Sequence, residues 1–375
     1  MKFPLLLLGV LAAVPVETVV AQGRIQDVLV TTSGRRVRGV EITELTSTTV
    51  RYTRSGDTLD LPANSVAEID WSEPPQGYLL GRTAARNGRF DEAATAFADG
   101  AKETKREVLQ VECQFLEADA LARAAGTDQQ KAAFAADKLS AWIAANADGF
   151  READATHALG RSLLTAGKMD EAEATFRKLS DDALAKGWAP VWGARARFEL
   201  ARALLAKGDL TNARSAFQQA QQAAQSAGGE KPSAELLSLM AEASVGVGET
   251  MVREGQFDEA LRYFRDLSSR APNAAIRAAA RAGEGEALYL RGKDPLDVES
   301  LRAAQIALAE ANLLDPTAGE VTAKALYYSG LVLIALGPEH ESSTYRQRAL
   351  DYFSSVTREY ASSAWAALAA EAAKN

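Results

Sequence analysis

Four glycines, Gly88, Gly167, Gly208 and Gly255, stand in the same local context, and that recurrence constrains the fold more than any other feature of the chain. Two residues after them come Phe90, Met169, Leu210 and Phe257. Five after come Ala93, Ala172, Ala213 and Ala260, and nine after come Phe97, Phe176, Phe217 and Phe264. Seven before stand Gly81, Gly160, Ala201 and Gly248, each preceded by Leu80, Leu159, Leu200 or Val247. Helix–turn–helix packing accounts for this spacing. Glycine ends the first helix because it tolerates the left-handed conformation of a C-cap. The alanine and phenylalanine, four apart, share one face of the second helix. Small residues let paired helices touch, while the phenylalanine fills the space between neighbouring units. The abundance of alanine fits the same picture, since it adds little bulk and has the highest helix propensity.

The pattern resembles that of the tetratricopeptide repeat (TPR) family, whose late proline has a counterpart in Pro272. Two further units fit if seven residues are inserted after the glycine: Gly285, Gly292, Ala304, Leu308 and Pro316, then Gly330, Gly337, Ala349 and Phe353. Seven residues make two helical turns and nearly preserve a helix face, but Pro295 and Pro338 assign part of each insertion to loop. Residues 107–146 read as a degenerate pair, with helices near Cys113–Ala124 and Gln129–Ala145, and a last helix falls near Ser362–Ala373. The resemblance therefore implies a mainly α fold over residues 73–375, a TPR-like α-solenoid of about seven helix pairs. Irregular pairs of this kind resemble periplasmic repeat proteins of the outer-membrane-assembly and Tol–Pal-associated type.

Before the helices, residues 22–72 have a different texture, rich in Val, Ile and Thr, with Tyr52 among them. Strands are expected at Asp27–Thr32, Arg36–Glu44, Thr49–Thr53, Asp57–Leu61 and Val66–Asp70, with turns at Ser33-Gly34, Thr46-Ser47 and Ser55-Gly56. Period-two alternation pairs Val28 with Val30, Val50 with Tyr52 and Leu59 with Leu61. The expected module is a small antiparallel β barrel or sheet, resembling the SH3-like or Sm-like type, joined by a linker at Glu73-Pro74-Pro75. Arg35, Arg36 and Arg38 at its first turn either grip an anion or simply keep a hairpin edge soluble.

Residues 1–21 read as a signal peptide: Lys2 supplies the charge, Leu5 to Val16 the apolar stretch, and Val19 and Ala21 the small residues before a cut at Gln22. The apolar run is about 12 residues, short of the roughly 20 needed to span a bilayer. No cysteine stands directly after it, which argues against a lipoprotein anchor, so the expected location is periplasmic or secreted. The single cysteine, Cys113, precludes an intrachain disulfide and reads as a small core residue. A net charge of −8 argues against nucleic acid as a partner.

Chemistry is sparse. The two histidines, His157 and His340, and one cysteine make no metal-spaced cluster, so neither metal nor cofactor is expected, and the chain reads as a non-enzyme. The acidic pairs Asp91-Glu92, Asp170-Glu171 and Asp258-Glu259 recur where a second helix begins, and there they complement its dipole. The candidate binding residues are a stripe on the first helices. Arg82, Arg161 and Arg202 follow the packing small residue, with Glu249 in the fourth unit; Arg86 and Arg253 lie one turn on. Tyr78, His157 and Phe198 lie one turn before the first three arginines. In the TPR family first helices line a concave groove, and arginine there would hold an acidic side chain or C-terminal carboxylate of a peptide. The family's lysine–asparagine carboxylate clamp is not reproduced. The expected function is an exported scaffold or adaptor that binds a protein or peptide segment. The alternative is a cell-envelope organising component whose β module self-associates into a homo-oligomer or binds cell-wall polymer.

Overall fold

The computed structural model describes residues 25–229, 231–314, 319–337 and 342–374. The signal segment, Pro316, Pro338 and His340 lie outside them. Five antiparallel strands come first among the described residues: β1 (Asp27–Thr31), β2 (Arg36–Leu45), β3 (Thr49–Arg54), β4 (Asp57–Pro62) and, after a 3-10 turn at Ala63–Ser65, β5 (Val66–Asp70). Their order is β4-β3-β2-β1-β5. A register shift between Ile42 and Glu44 bends β2. Its first half pairs with β1 and its second with β3. Val50 and Tyr52 are buried as the alternation requires, but in β1 the core residue is Leu29, with Val28 and Val30 only half-buried. Asp27 and Thr31 share the inward face of Leu29, a polar pair that hides this strand's true period from a hydrophobicity pattern.

Fifteen helices follow among the described residues. They pack as antiparallel pairs: α1 (Gln76–Arg86) with α2 (Phe90–Glu103), α3 (Glu107–Ala124) with α4 (Gln129–Ala145), α5 (Glu152–Thr165) with α6 (Met169–Ala185), and α7 (Val191–Lys207) with α8 (Leu210–Gly228). Then come α9 (Ala234–Arg253) with α10 (Phe257–Arg270), α11 (Ala274–Gly292) with α12 (Val298–Leu314), and α13 (Gly319–Leu336) with α14 (Ser342–Glu359). A last helix, α15 (Ala364–Ala372), covers the end. The result is a TPR-like solenoid preceded by a small sheet. The four anchor glycines all have positive φ, 73° at Gly88, 79° at Gly167, 82° at Gly208 and 76° at Gly255. The acidic pairs fall in the first turns of α2, α6 and α10. The first insertion is a loop between Gly292, where α11 ends, and Val298, where α12 begins.

The phenylalanines are the main bulk of the solenoid core. Phe97, Phe176, Phe217, Phe264 and Phe353 are almost fully buried. Each is received by a helix that lacks a side chain at the contact. A Cβ on Gly81, Gly160, Gly248 or Gly330 would lie 2.5–2.6 Å from the ring of Phe97, Phe176, Phe264 or Phe353. The third unit has Ala201 at that position, and there the close approach moves to the next first helix, where Gly246 faces Phe217.

The sheet is fused to the rim of the solenoid and does not swing on Pro74-Pro75. Leu29, Val37 and Trp71 share a core with Tyr78, Phe97, Leu109 and Cys113. Asp27, with no exposed surface, receives two bonds from Arg106 in the α2–α3 loop, at 2.5 and 3.0 Å. Its carboxylate also accepts from the backbone N–H groups of Ile42 (3.2 Å) and Ser72 (2.8 Å). Further along, Ser47 N–H donates to the Asp148 carbonyl in the α4–α5 loop at 2.6 Å. Asn64 donates to the Gly187 carbonyl in the α6–α7 loop at 3.3 Å. Three successive inter-repeat loops are thus tied to one small sheet. Cys113 lies in the shared core, and burial pushes its thiol up to about 12.

Candidate functional site

The odd-numbered helices form the inner wall of the solenoid, and between α3, α5, α7 and α9 they leave an open groove of about 680 Å³. Helical spacing explains which side chains reach it. On α5 they are Asp154, His157 and Arg161; on α7, Trp192, Arg195, Phe198 and Glu199. Each set repeats at three or four residues, so each lies along one face. Phe115, Leu116, Asp119 and Arg123 come from α3, and Glu235 and Glu242 from α9. The wall is apolar in patches and densely charged between them.

Most of those charges are already committed to one another. Arg195 pairs with Glu235 and lies 4.5 Å above the Trp192 ring. Arg151, at the start of α5, grips Glu112 at 2.7 and 3.0 Å and reaches Asp154 at 3.7 Å. Arg123 pairs with Asp119 at 2.8 Å. Glu199 is buried at the centre, 3.3 Å from His157 Nε2 and 3.2 Å from Arg202. Burial opposes its ionisation, but the His157 hydrogen bond and the charges of Arg202 and Arg161 outweigh it and hold the carboxyl below its ordinary value. Asp154 is shifted the other way, upward, because desolvation by the groove walls exceeds the pull of Arg151. Arg161 stands apart: its side chain is 59% exposed and its nearest carboxylate, Glu199, is 3.9 Å away.

The structure brings together part of the stripe read from the sequence. His157, Arg161 and Phe198 line the groove. Arg202 sits at its edge on Glu199. Tyr78 and Arg82 are used elsewhere: Tyr78 is buried against Phe97, and Arg82 bonds its hydroxyl at 3.2 Å and pairs with Glu68 of β5 at 3.1 Å. Arg86 and Arg253 are exposed and do not line this groove. Of the arginines at the first turn of the sheet, Arg36 pairs with Asp70. Trp192, Arg195, Asp154 and Glu199 were missed, although Asp154, Arg195 and Glu199 each lie three residues from a stripe member on the same helix and Trp192 lies three before Arg195. Asp119 and Arg123 were out of reach because α3 belongs to the degenerate pair, which the glycine frame does not align.

Glu249, the residue that breaks the arginine pattern, has a partner distant in sequence. Lys324 of α13 contacts Glu249 at 2.9 Å and Glu286 at 2.6 Å, and Tyr328 donates to Glu286 at 2.7 Å. Trp365 of α15 lies 5.8 Å from the Lys324 ammonium. This buried cluster joins the first helices α9, α11 and α13 where the inner face continues past the groove.

Residues 194–226, within α7 and α8, match the tetratricopeptide repeat family model. Among solved structures the chain is similar to a tetratricopeptide repeat protein from Parabacteroides merdae, with 14% identity over 80% of this chain and 96% of that one, at a TM-score of 0.54. It is also similar to the Pyrococcus horikoshii STAND protein PH0952, which has a tetratricopeptide repeat sensor: 13% identity, 76% and 42% coverage, TM-score 0.54. A third is the apo form of the quorum sensor NprR from B. thuringiensis, with 12% identity, 78% and 79% coverage and a TM-score of 0.50. At such identities the likeness is one of fold. No curated protein sequence matches the chain.

Proposed function

We propose that this tetratricopeptide-repeat solenoid is an exported scaffold that holds a segment of another protein in the groove between α3, α5, α7 and α9. The observation that carries the reading is the groove wall itself. It combines the Trp192 and Phe198 rings with an accessible cation, Arg161, on rigid first helices. Aromatic surface supplies affinity, and a largely exposed guanidinium, only loosely paired with Glu199 at 3.9 Å, supplies orientation. An acidic group on the partner is the natural complement of Arg161. Most of the other charges are fixed in internal pairs, and Glu242 accepts a hydrogen bond from Ser238 at 2.8 Å, so they shape the wall more than they attract an acidic group. Export rests on the reading of Met1 to Ala21, and the small N-terminal sheet is taken as an SH3-like module on its strand order and the bend in β2.

Dodecapeptides selected from a random display library on the mature chain, then titrated by fluorescence anisotropy, test the groove. The His157→Ala/Arg161→Ala double variant should weaken them about tenfold or more, and its binding should lose salt dependence. Arg86→Ala, outside the groove, should leave them unchanged. Peptides that bind the double variant as tightly as the native protein would refute the site. N-terminal sequencing tests export: a chain beginning at Gln22 outside the cytoplasm supports it, and one retaining Met1 inside overturns it.

A further inference from the structure

The groove does not end at the helices. At the end where α5 and α7 begin, it continues through Arg151, Asp154 and Trp192 into a smaller cavity of about 190 Å³. The walls of this cavity come from two parts of the chain. Ala63, Val66 and Ala67 lie on the sheet side, from the 3-10 turn and β5; Phe150, Trp188 and Trp192 lie on the solenoid side. The two walls are held in place by the bond from the Asn64 side-chain amide to the Gly187 carbonyl and the Ser47–Asp148 backbone bond, which tie the sheet to the loops before α7 and α5.

We infer that this cavity is a side pocket of the groove, and that it seats one bulky apolar side chain of the bound segment between β5 and the start of α7. The proposal rests on the groove being the binding site and names what the bound segment must carry. Three observations select this occupant. The volume is below the roughly 300 Å³ where independent small-molecule sites begin, yet above the about 150 Å³ that holds a benzene ring. Small apolar residues and the rings of Phe150, Trp188 and Trp192 share the lining with the Arg151–Asp154 pair where the cavity meets the groove, so an aromatic or branched aliphatic group gains burial against the rings. The cavity shares three residues with the groove, so a segment lying across Trp192 passes its mouth. The β module is then more than a brace: it supplies half of the pocket that chooses among partners. Charge at Arg161 and an apolar anchor beside Ala67 together define a segment in which an acidic residue and a bulky apolar residue are separated by a short stretch.

Ala67 is exposed on β5, and replacing it alters the pocket without touching a core residue. Ala67→Trp should fill the cavity, and Ala67→Glu should place a charge in it. Dodecapeptides selected on the native mature chain should show a recurrent bulky apolar position. They should bind both variants about 30-fold more weakly, the scale of a buried anchor. Alanine at that peptide position should cost a similar factor against the native protein and nothing further against Ala67→Trp. Matching far-UV spectra and melting curves would establish that both variants fold. Peptides that lose affinity for the His157→Ala/Arg161→Ala variant but bind both Ala67 variants normally would overturn the pocket and leave the groove standing. Peptides indifferent to all these changes would remove the groove, and the pocket with it.

Discussion

Replacing Gly248 with alanine should destabilise the solenoid, although alanine is the better helix former. A Cβ at this position would lie 2.5 Å from Cε1 and Cζ of Phe264, where carbon–carbon contacts favour about 3.5–4.0 Å. The ring would have to retreat by about 1 Å to restore that spacing. Its freedom to move is small, because the backbone of α11 also closes on it: a Cβ built on Gly283 would stand 2.4 Å from the same ring. Overpacking of this kind costs about 1–3 kcal/mol, and a clamped ring belongs at the upper end. The helix-propensity gain returns about 1 kcal/mol, leaving a net loss near 2 kcal/mol. Gly193, within α7, is the control. Its nearest obstacle is the flexible Arg197 guanidinium at 3.2 Å, so Gly193→Ala should stabilise by about 0.5–1 kcal/mol. Urea denaturation followed by far-UV circular dichroism compares the two. Adding Phe264→Leu to Gly248→Ala should recover at least about 0.5 kcal/mol relative to the sum of the single changes. A Gly248→Ala protein as stable as Gly193→Ala would refute the claim that ring-to-backbone contact sets the repeat.

Other consequences follow from buried charges and the thiol. Arg106→Ala leaves the Asp27 carboxylate without its counter-charge in a site with no exposure, and should cost about 3–5 kcal/mol in the same denaturation assay. Arg36→Ala, which breaks an exposed pair with Asp70, should cost less than about 1 kcal/mol. Equal losses would count against the sheet being anchored through Asp27. Cys113 should resist a thiol reagent at pH 8 in the native protein and react fully in denaturant, since burial raises its pKa to about 12. Rapid native labelling would place it outside the core. Burial opposes the charge of Glu249, but Lys324 more than compensates and holds its carboxyl below the unfolded value of 4.5. Its contribution is therefore present above that pH and lost as pH falls through the folded value. Lys324→Met should destabilise strongly at pH 7, and the gap to the native protein should narrow on acidification; a constant gap would exclude the coupling.

The repeat was legible because it is local. A left-handed glycine, an alanine and a phenylalanine at set intervals act within one helix pair, so each unit states its own geometry. The limits of α4 and the positions of all five strands could be read in the same way. β1 and β4 were the exceptions: Leu59 of β4 is exposed, and the inward face of β1 carries Asp27 and Thr31, polar residues whose burial is visible only once Arg106 arrives from the α2–α3 loop. The binding stripe was half legible for a related reason. Equivalent positions on successive helices share a face, which found His157, Arg161 and Phe198. Their surroundings are not equivalent: β5 takes Arg82 through Glu68, and Lys324 takes Glu249 from 75 residues away. Periodicity records which way a side chain points relative to its own helix. Which charges remain unspent, and that a sheet closes one end of the groove, are decided by contacts between segments far apart in the chain, and only the packed structure contains those.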